Sequence, residues 1–271
     1  MKVYARTKTI HDENCGRVPY NYNIATAIYG FHEMGFEIHL YNSLDEIYDK
    51  LEKGDIILDG IKQVEYCLKK FGIVPQECGV VPEVCADDNL GSNYGYYPEV
   101  LIPYLGRKIW KDNINHINAN PETWGCFVKP VKEKRFTGRV INSPKDLVGC
   151  GSCYENYEVW CSEPVDFVME CRGFVYYDKM IDLRPYNGDF TYMKNLDTEL
   201  IKKAVSEFVD SENRPLACAL DWGVTKDGRT LFIEQNMFYS CAGYGLFHID
   251  YAKMISACFS QLYGLPDECN F

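Results

Sequence analysis

The segment that decides the fold is Asp221-Trp-Gly-Val-Thr-Lys-Asp-Gly-Arg-Thr-Leu-Phe-Ile-Glu-Gln-Asn236, in which two strand-like runs flank an Asp227-Gly228 pair. An Asp-Gly pair between such runs is a strong signal for a two-residue hairpin turn. If these two residues form the loop, Asp221 lies directly opposite Glu234. Side chains alternate along a strand, so Asn236 points the same way as Glu234. The segment therefore predicts a hairpin on which two carboxylates and one amide converge.

The charges on this hairpin predict a metal site. Like charges directly across a ladder destabilise it, and the neighbouring Trp222 and Phe232 indicate partial burial, which increases the repulsion. A divalent cation would remove this repulsion. Hard oxygen ligands without a nearby histidine or thiol favour Mg²⁺ or Mn²⁺ over Zn²⁺. Asp221, Glu234 and Asn236 are therefore predicted metal ligands, and the alternative is a solvated hairpin whose acids face water.

The amino-terminal part of the chain alternates between strand and helix patterns. Strand patterns lie at 3–6, 36–41 and 56–58, and helix patterns at 24–34, 43–51 and 61–70. The second helix is predicted to begin at the capping box Ser43-Leu-Asp-Glu46. Such an alternation implies an α/β region with a parallel sheet.

A stretch at 86–106, rich in Gly, Tyr, Asn and Pro, connects this region to a different one. From Arg107 onward, short strand patterns joined by turn signals predict an α+β region built on antiparallel sheet. Its two helix patterns lie at about 198–209 and 251–262. We place the boundary between the two domains near residue 100.

Two groups of cations lie between the boundary and the hairpin. The apolar strand Cys126-Phe-Val-Lys-Pro130 carries Lys129 and precedes a basic, glycine-containing turn at 131–139. A strand cation beside such a turn can hold a polyphosphate, although a plain surface loop would look the same. A second hairpin candidate places Arg172 and Arg184 near acidic residues, either to bind a carboxylate or phosphate or to form cross-strand ion pairs.

The order of these features resembles the ATP-grasp superfamily: a Rossmann-like first domain, a lysine-bearing strand, a mobile loop, an adenine hinge and a metal hairpin ending in Glu-x-Asn. The resemblance covers most of the chain and is strongest over 107–240. It implies a Rossmann-like domain over 1–100 and an ATP-grasp domain over 101–271. The nucleotide, ATP with Mg²⁺, would bind between subdomains at about 107–160 and 161–262.

The resemblance also assigns roles to the cations and the hairpin. Lys129 looks like the family's phosphate lysine, and Arg172 and Arg184 match arginines near the transferred phosphate and the acyl substrate. The hairpin residues match the family's metal triad. The mobile cover of the nucleotide would include Lys132, Thr137 and Gly138.

The segment Trp160-Cys-Ser-Glu-Pro-Val165 looks like the adenine hinge. The backbone of Glu163 and Val165 would read adenine, and Asp166 or Glu163 would be available to the ribose. The family's earlier nucleotide-binding lysine has no clear counterpart, and Arg107 stands about where it should be. The chain is thus similar to a clade of small, single-chain bacterial and phage ATP-grasp proteins with arginine at that position.

Composition narrows the class of protein. With 46% hydrophobic residues the chain can bury a large core, and a net charge of −11 gives no general attraction to nucleic-acid backbones. No apolar run is long enough for a membrane span, so we expect a cytoplasmic protein. Among the 13 cysteines, Cys150 and Cys153 have CxxC spacing, but no second pair completes a zinc site. We expect ordinary reduced thiols there.

The function that the resemblance implies is an ADP-forming carboxylate–amine, or carboxylate–thiol, ligase with an acyl-phosphate intermediate. The alternatives are a phosphotransferase acting on a hydroxyl and a nucleotide-binding protein of a nucleic-acid repair or modification system. Expected partners are ATP, a carboxylate and an acceptor such as an amino acid, peptide or modified nucleotide, without a membrane or a long duplex. Loops at 11–13 and 239–245 could contact the acceptor or simply form turns.

Overall fold

The computed structural model describes residues 1–10, 16–75, 97–131, 135–151, 155–212 and 214–271. The amino-terminal elements are β1 (Val3–Ile10), β2 (Gly16–Pro19), α1 (Tyr22–Glu33), β3 (Ile38–Tyr41), β4 (Ile56–Leu58) and α2 (Ile61–Lys69). The first half of β1 pairs in parallel with both β3 and β4 and therefore lies between them. The predicted parallel pairing is confirmed. The antiparallel strand β2, which pairs with the second half of β1, was not predicted.

The helix predicted over 43–51 is wrong. Two short 3-10 helices, Leu44–Glu46 and Tyr48–Lys50, take its place, although the capping box forms and Glu46 accepts from the Ser43 amide at 3.1 Å. Ile47 leaves the helical backbone with φ −122°, which lets Ile47 and Leu51 both reach the core. Burial of these two side chains over a short connection therefore outweighs the helical start signal.

Two antiparallel sheets follow. The first contains β5 (Ile109–Asn113), β6 (Cys126–Pro130), β7 (Arg139–Ile141) and β8 (Glu158–Ser162) in the order β5-β8-β6-β7, with α3 at Ile114–Ala119. The second contains β9 (Phe167–Tyr176), β10 (Lys179–Gly188), β11 (Ala217–Thr225) and β12 (Thr230–Met237) in the order β10-β9-β11-β12. The two predicted helices are α4 (Thr198–Val209) and α5 (His248–Tyr263). The antiparallel α+β prediction is confirmed.

Helix α5 joins the carboxy-terminal end of the chain to the amino-terminal elements. Buried α5 side chains such as Ile255 and Phe259 share one core with Phe31 of α1 and Ile57 of β4. At the helix contact, a Cβ on Gly30 would come within 2.1 Å of the His248 carbonyl oxygen. The close approach of α1 and α5 therefore requires glycine at this position.

We expect Gly30→Ala to destabilise the protein by about 3 kcal/mol, at the upper end of the usual cost of overpacking, despite the higher helix propensity of alanine. The added methyl group must push α1 away from backbone atoms of α5, which have little freedom to move. Urea unfolding would measure the effect. His32→Ala, on the exposed face of the same helix, is the control, and equal stability of the two variants would contradict the prediction.

Candidate active site

A row of four charged residues crosses the second antiparallel sheet. Arg184 on β10 pairs with Arg172 on β9, Arg172 pairs with Asp221 on β11, and Asp221 pairs with Glu234 on β12. Directly opposite residues of antiparallel strands share a face, so the four side chains rise from one side of the sheet. Asn236 follows two residues after Glu234 and lies on the same face. The predicted convergence of Asp221, Glu234 and Asn236 is confirmed.

The hairpin has the predicted pairing of Asp221 with Glu234, but its loop length and its register along the strands differ from the prediction. Thr225 donates its N–H to the Arg229 carbonyl, so the loop holds three residues, with Gly228 at φ 85°, instead of the predicted two. Near the tip Trp222 pairs with Phe232. A bulge then shifts the register by one residue and brings Asp221 opposite Glu234. The two-residue loop was wrong, and the bulge compensates for the error.

Each acidic residue of the triad has its own cation. Arg172 donates to Asp221 through Nε and Nη2, at 2.8 and 2.7 Å, in a bidentate pair. Lys129 on β6 reaches across from the other antiparallel sheet and donates to Glu234 Oε2 at 2.6 Å. Asn236 bridges the two acids, because its Nδ2 donates to Asp221 Oδ2 at 3.0 Å and to Glu234 Oε1 at 3.2 Å.

These two ion pairs show that repulsion between the acids is not the reason for a metal ion at this site. The sequence argument needed a divalent cation to relieve the repulsion between two acids, but Arg172 and Lys129 already neutralise them. Both cations are largely buried, at 8% and 7% exposure, so their charges are weakly screened. A metal ion at the triad would therefore be bound through its oxygen ligands and the nucleotide phosphates, and relief of repulsion between the acids is not needed.

The protonation of the two acids differs. Burial raises the pKa of Asp221 to about 6 although Arg172 opposes the shift, and the negative charge of Glu234 adds to it. For Glu234, burial acts in the same direction but is outweighed by Lys129, which holds the pKa of that carboxyl below its usual value. Glu234 is thus the more firmly ionised of the two carboxylates.

The oxygen set suits a hard cation. A carboxylate oxygen can accept more than one bond, so the contacts of Glu234 leave it able to bind a metal, and Asn236 would present its oxygen if the amide turned over. Asp221 is held more tightly by the arginine fork. Within the described ranges no three His, Cys, Asp or Glu side chains form a metal cluster, so a metal ion at the triad would need an amide or a phosphate oxygen among its ligands.

Arg172 has neighbours that the sequence argument missed. Its Nη1 donates to Cys241 Sγ at 2.9 Å and to the Ala242 carbonyl at 3.3 Å. The rings of Tyr186 and Tyr244 stack with centroids 5.0 Å apart, and the guanidinium lies within 5.5 Å of both. The only sequence signal was the glycine- and tyrosine-rich loop at 239–245. The loop at 11–13 lies outside the described residues.

Arg184 is more accessible than Arg172. It donates through Nε to Asp182 at 2.7 Å, and its side chain is 43% exposed. The predicted acid neighbour is therefore an ion pair on the same strand. Its Nη2 also lies 2.7 Å from Asp182 Oδ2, and Arg184 is at the β10 end of the charged row, on the outer strand of the sheet.

Arg107 lies beside the triad but points mainly at backbone. Nη1 donates to the carbonyls of Leu105 and Phe232 at 3.0 and 2.8 Å, and Nη2 donates to that of Ile233 at 3.0 Å. The Tyr97 ring lies 4.6 Å from Lys129 Nζ. Tyr97 was not predicted and carries no sequence signal.

The hinge segment lies beside the tip of the β11–β12 hairpin. Together they line an open cleft of about 430 Å³ that includes Val165, Asp166 and Thr225. Glu163 continues the strand pairing, because its N–H donates to the Lys108 carbonyl and its carboxylate accepts from the Lys108 amide at 2.8 Å. The Glu163 carboxylate is thus engaged with the Lys108 backbone, and the acids that line the cleft are Asp166 and Asp227.

Thr137 and Gly138 directly precede β7, the edge strand of the first antiparallel sheet. Thr137 is exposed, and Gly138 packs so closely on β6 that a Cβ there would come within 2.4 Å of the Phe127 ring. Lys132 lies outside the described residues. Cys153 does too, and the buried Cys150 thiol donates to the Asp146 carbonyl at 3.3 Å.

Comparison with known proteins gives a family and a fold. A family model described as ATP-grasp domain, R2K clade family 2, matches residues 104–254, more than half of the chain. D-alanine–D-alanine ligase from Bacillus anthracis, complexed with ATP, is similar over 97% of this chain and 98% of that one, with TM-score 0.51 and 14% identity. N5-carboxyaminoimidazole synthetase from Staphylococcus aureus, complexed with ADP, is similar over 90% of this chain and 75% of that one, with TM-score 0.51 and 13% identity. No curated protein sequence matches the chain, and no helix of the described part is long and apolar enough to cross a membrane.

Proposed function

The chain belongs to this ATP-grasp family, and on that basis we propose that it is an ATP-dependent ligase that joins a carboxylate to an amine or thiol and releases ADP and phosphate. The observation that carries the proposal is the Lys129–Glu234 contact, which joins the two antiparallel sheets beside Arg172 and the acidic triad. The two solved structures quoted above are named as a ligase and a synthetase, which agrees with this class of reaction.

The nucleotide would lie along the hairpin. The hinge side of the cleft borders Thr225 and the charged row crosses at Asp221, about 14 Å apart at the usual rise of a strand. In this arrangement the backbone of Glu163 and Val165 reads adenine and Asp166 contacts the ribose. Lys129 holds the phosphates, and the cover formed by Lys132, Thr137 and Gly138 closes over them.

Glu234 and Asn236 would hold Mg²⁺, with Asp221 as the third ligand. The ion would neutralise charge on the phosphate oxygens during transfer. Lys129 would assist metal binding, because its ammonium group can move from Glu234 to a phosphate oxygen and so free the carboxylate for the ion. Arg172 keeps Asp221 oriented throughout.

The reaction proceeds in two displacements. A carboxylate oxygen of the substrate attacks the γ-phosphorus of ATP, the bond to the β–γ bridging oxygen breaks, and ADP leaves. The amine or thiol then attacks the acyl carbon, loses its proton, and inorganic phosphate departs. Arg184 binds the acyl group, and the Arg172 charge stabilises the developing oxyanion, an effect worth about 3–4 kcal/mol for a well-placed donor.

Calorimetry of ATP binding with and without Mg²⁺ tests the proposal. We expect wild type to bind more tightly with Mg²⁺, and Glu234→Ala, Asn236→Ala to lose that gain, about tenfold or more, since a charged contact contributes about 1.5–3 kcal/mol. The control is Glu199→Ala, Asn195→Ala, which removes the same side chains from exposed positions.

Product analysis then decides the type of reaction. ADP release stimulated by one member of an amino-acid or peptide pool, with inorganic phosphate as the second product, supports ligation. A stable phosphorylated product would indicate a phosphotransferase instead. A folded wild-type protein that binds no nucleotide would refute the proposal.

A further inference from the structure

The place of Glu234 depends on one extra residue in β12. From the hairpin tip, Val224 pairs with Thr230 and Trp222 with Phe232. The same register continued without interruption would put Ile233 opposite Asp221. A slip of one residue turns every following side chain to the other face of a sheet. The bulge at Ile233 is therefore what brings Glu234 to the face of Asp221.

A bulge leaves backbone groups without ladder partners, and such groups are costly when buried. β12 is the edge strand of its sheet, and at this bulge Arg107 donates to two of its carbonyls, from Nη1 to that of Phe232 at 2.8 Å and from Nη2 to that of Ile233 at 3.0 Å. The same guanidinium bonds to the Leu105 carbonyl at 3.0 Å. One side chain thus spans the two carbonyls that flank the irregular step.

The local chain is shaped for this approach. Gly106 has φ 59°, and a Cβ there would come within 2.5 Å of the Leu231 side chain on β12. Glycine therefore lets the segment before Arg107 lie against the strand. The centroid of the Phe167 ring lies 6.0 Å from the central carbon of the Arg107 guanidinium.

We propose that Arg107 is a positioning residue that holds the β12 bulge and thereby sets Glu234 and Asn236 opposite Asp221. The metal-binding part of this inference rests on the proposed function. The role also explains why arginine stands here: a planar fork can bridge two carbonyls, whereas a lysine ammonium concentrates its donors at one point. A phosphate contact alone would be served by either residue.

Arg107→Lys separates the two roles, because it keeps the charge and removes the fork. We expect nucleotide affinity in EDTA to stay within about twofold of wild type, while the gain on adding Mg²⁺ falls by about tenfold, as for other residues that orient metal ligands. Amide hydrogen exchange across 221–236 should become faster in the free protein. Lys108→Ala, which removes a neighbouring exposed charge, is the control and should match wild type in all three measurements.

Gly106→Ala gives a second test that leaves Arg107 intact. At φ 59° an alanine is strained and its methyl group also meets the Leu231 side chain, so the segment that carries Arg107 should shift, and we expect the same selective loss of the Mg²⁺-dependent gain in affinity. The inference would be overturned if either folded variant showed the wild-type increase in nucleotide affinity on adding Mg²⁺ together with wild-type rates of amide hydrogen exchange. An equal loss of nucleotide affinity with and without Mg²⁺ in Arg107→Lys would also overturn it. If wild type binds no nucleotide, the proposed function fails, and hydrogen exchange still decides whether Arg107 holds the bulge.

Discussion

Arg172→Met is expected to destabilise the protein by about 3–5 kcal/mol, the usual cost of removing one partner from a buried ion pair. Asp221 is 1% exposed, and each of its two carboxylate oxygens accepts a hydrogen bond from Arg172. Without the guanidinium, its charge would face Glu234 with no cation in contact. Turnover should fall by about 10²–10³-fold as well, because the charge that stabilises the oxyanion is lost.

The double variant Arg172→Met, Asp221→Asn separates stability from catalysis. Removing both charges should restore most of the unfolding free energy, since buried pairs can often be replaced without loss, while turnover stays low. Urea unfolding and ADP release measure the two effects. A single variant with the unfolding midpoint of wild type would contradict the prediction, and so would a double variant as unstable as the single one.

The cost of the single substitution should depend on pH. In wild type the folded pKa of Asp221, about 6, already exceeds its ordinary value of 3.8, and loss of Arg172 raises it further. A raised carboxyl pKa means that ionisation penalises the folded state, so stability increases as pH falls through the folded value towards the unfolded one. The destabilisation by Arg172→Met should therefore be smaller at about pH 5 than at about pH 8.

The hairpin shows which part of the site the sequence could predict. Alternation along a strand placed Glu234 and Asn236 on one face, and that relation depends only on local geometry. The bulge instead contacts Arg107, which lies 125 and 126 positions away from Phe232 and Ile233, and the neighbouring Gly106 lies against Leu231. A local pattern carries no information about such contacts. The correct pairing of Asp221 with Glu234 thus came from an incomplete argument.

The neutralisation of the acids was missed for a similar reason. Lys129 and Arg172 were both recognised as cations near a phosphate, but their contacts with the triad join residues 105 and 49 positions apart in the chain. Spacing within a segment cannot reveal such pairs. In the amino-terminal region, the strands and their parallel pairing followed from periodicity, whereas burial of Ile47 and Leu51 overrode the local helix signal at Ser43.

Lys129→Met is expected to change the affinities for nucleotide and metal in opposite directions. Loss of a buried cation at the phosphates should weaken ATP binding by about 10–100-fold, the value of one charged hydrogen bond. In the free protein the same substitution should tighten Mg²⁺ or Mn²⁺ binding, because Lys129 no longer occupies Glu234 Oε2 at 2.6 Å. Titration with each ligand alone, by calorimetry, measures both effects.

This opposition distinguishes competition for Glu234 from simple damage to the site. If Lys129 only supported the fold, both affinities would fall together when it is removed. Lys111→Met is the matched control. Lys111 on β5 and Lys129 on β6 both pair with Trp160 on the strand between them, and Lys111 is exposed. It should leave both affinities unchanged. A metal affinity that falls in Lys129→Met would show that the lysine does not compete with the cation, and that the triad binds metal only after the nucleotide has rearranged it.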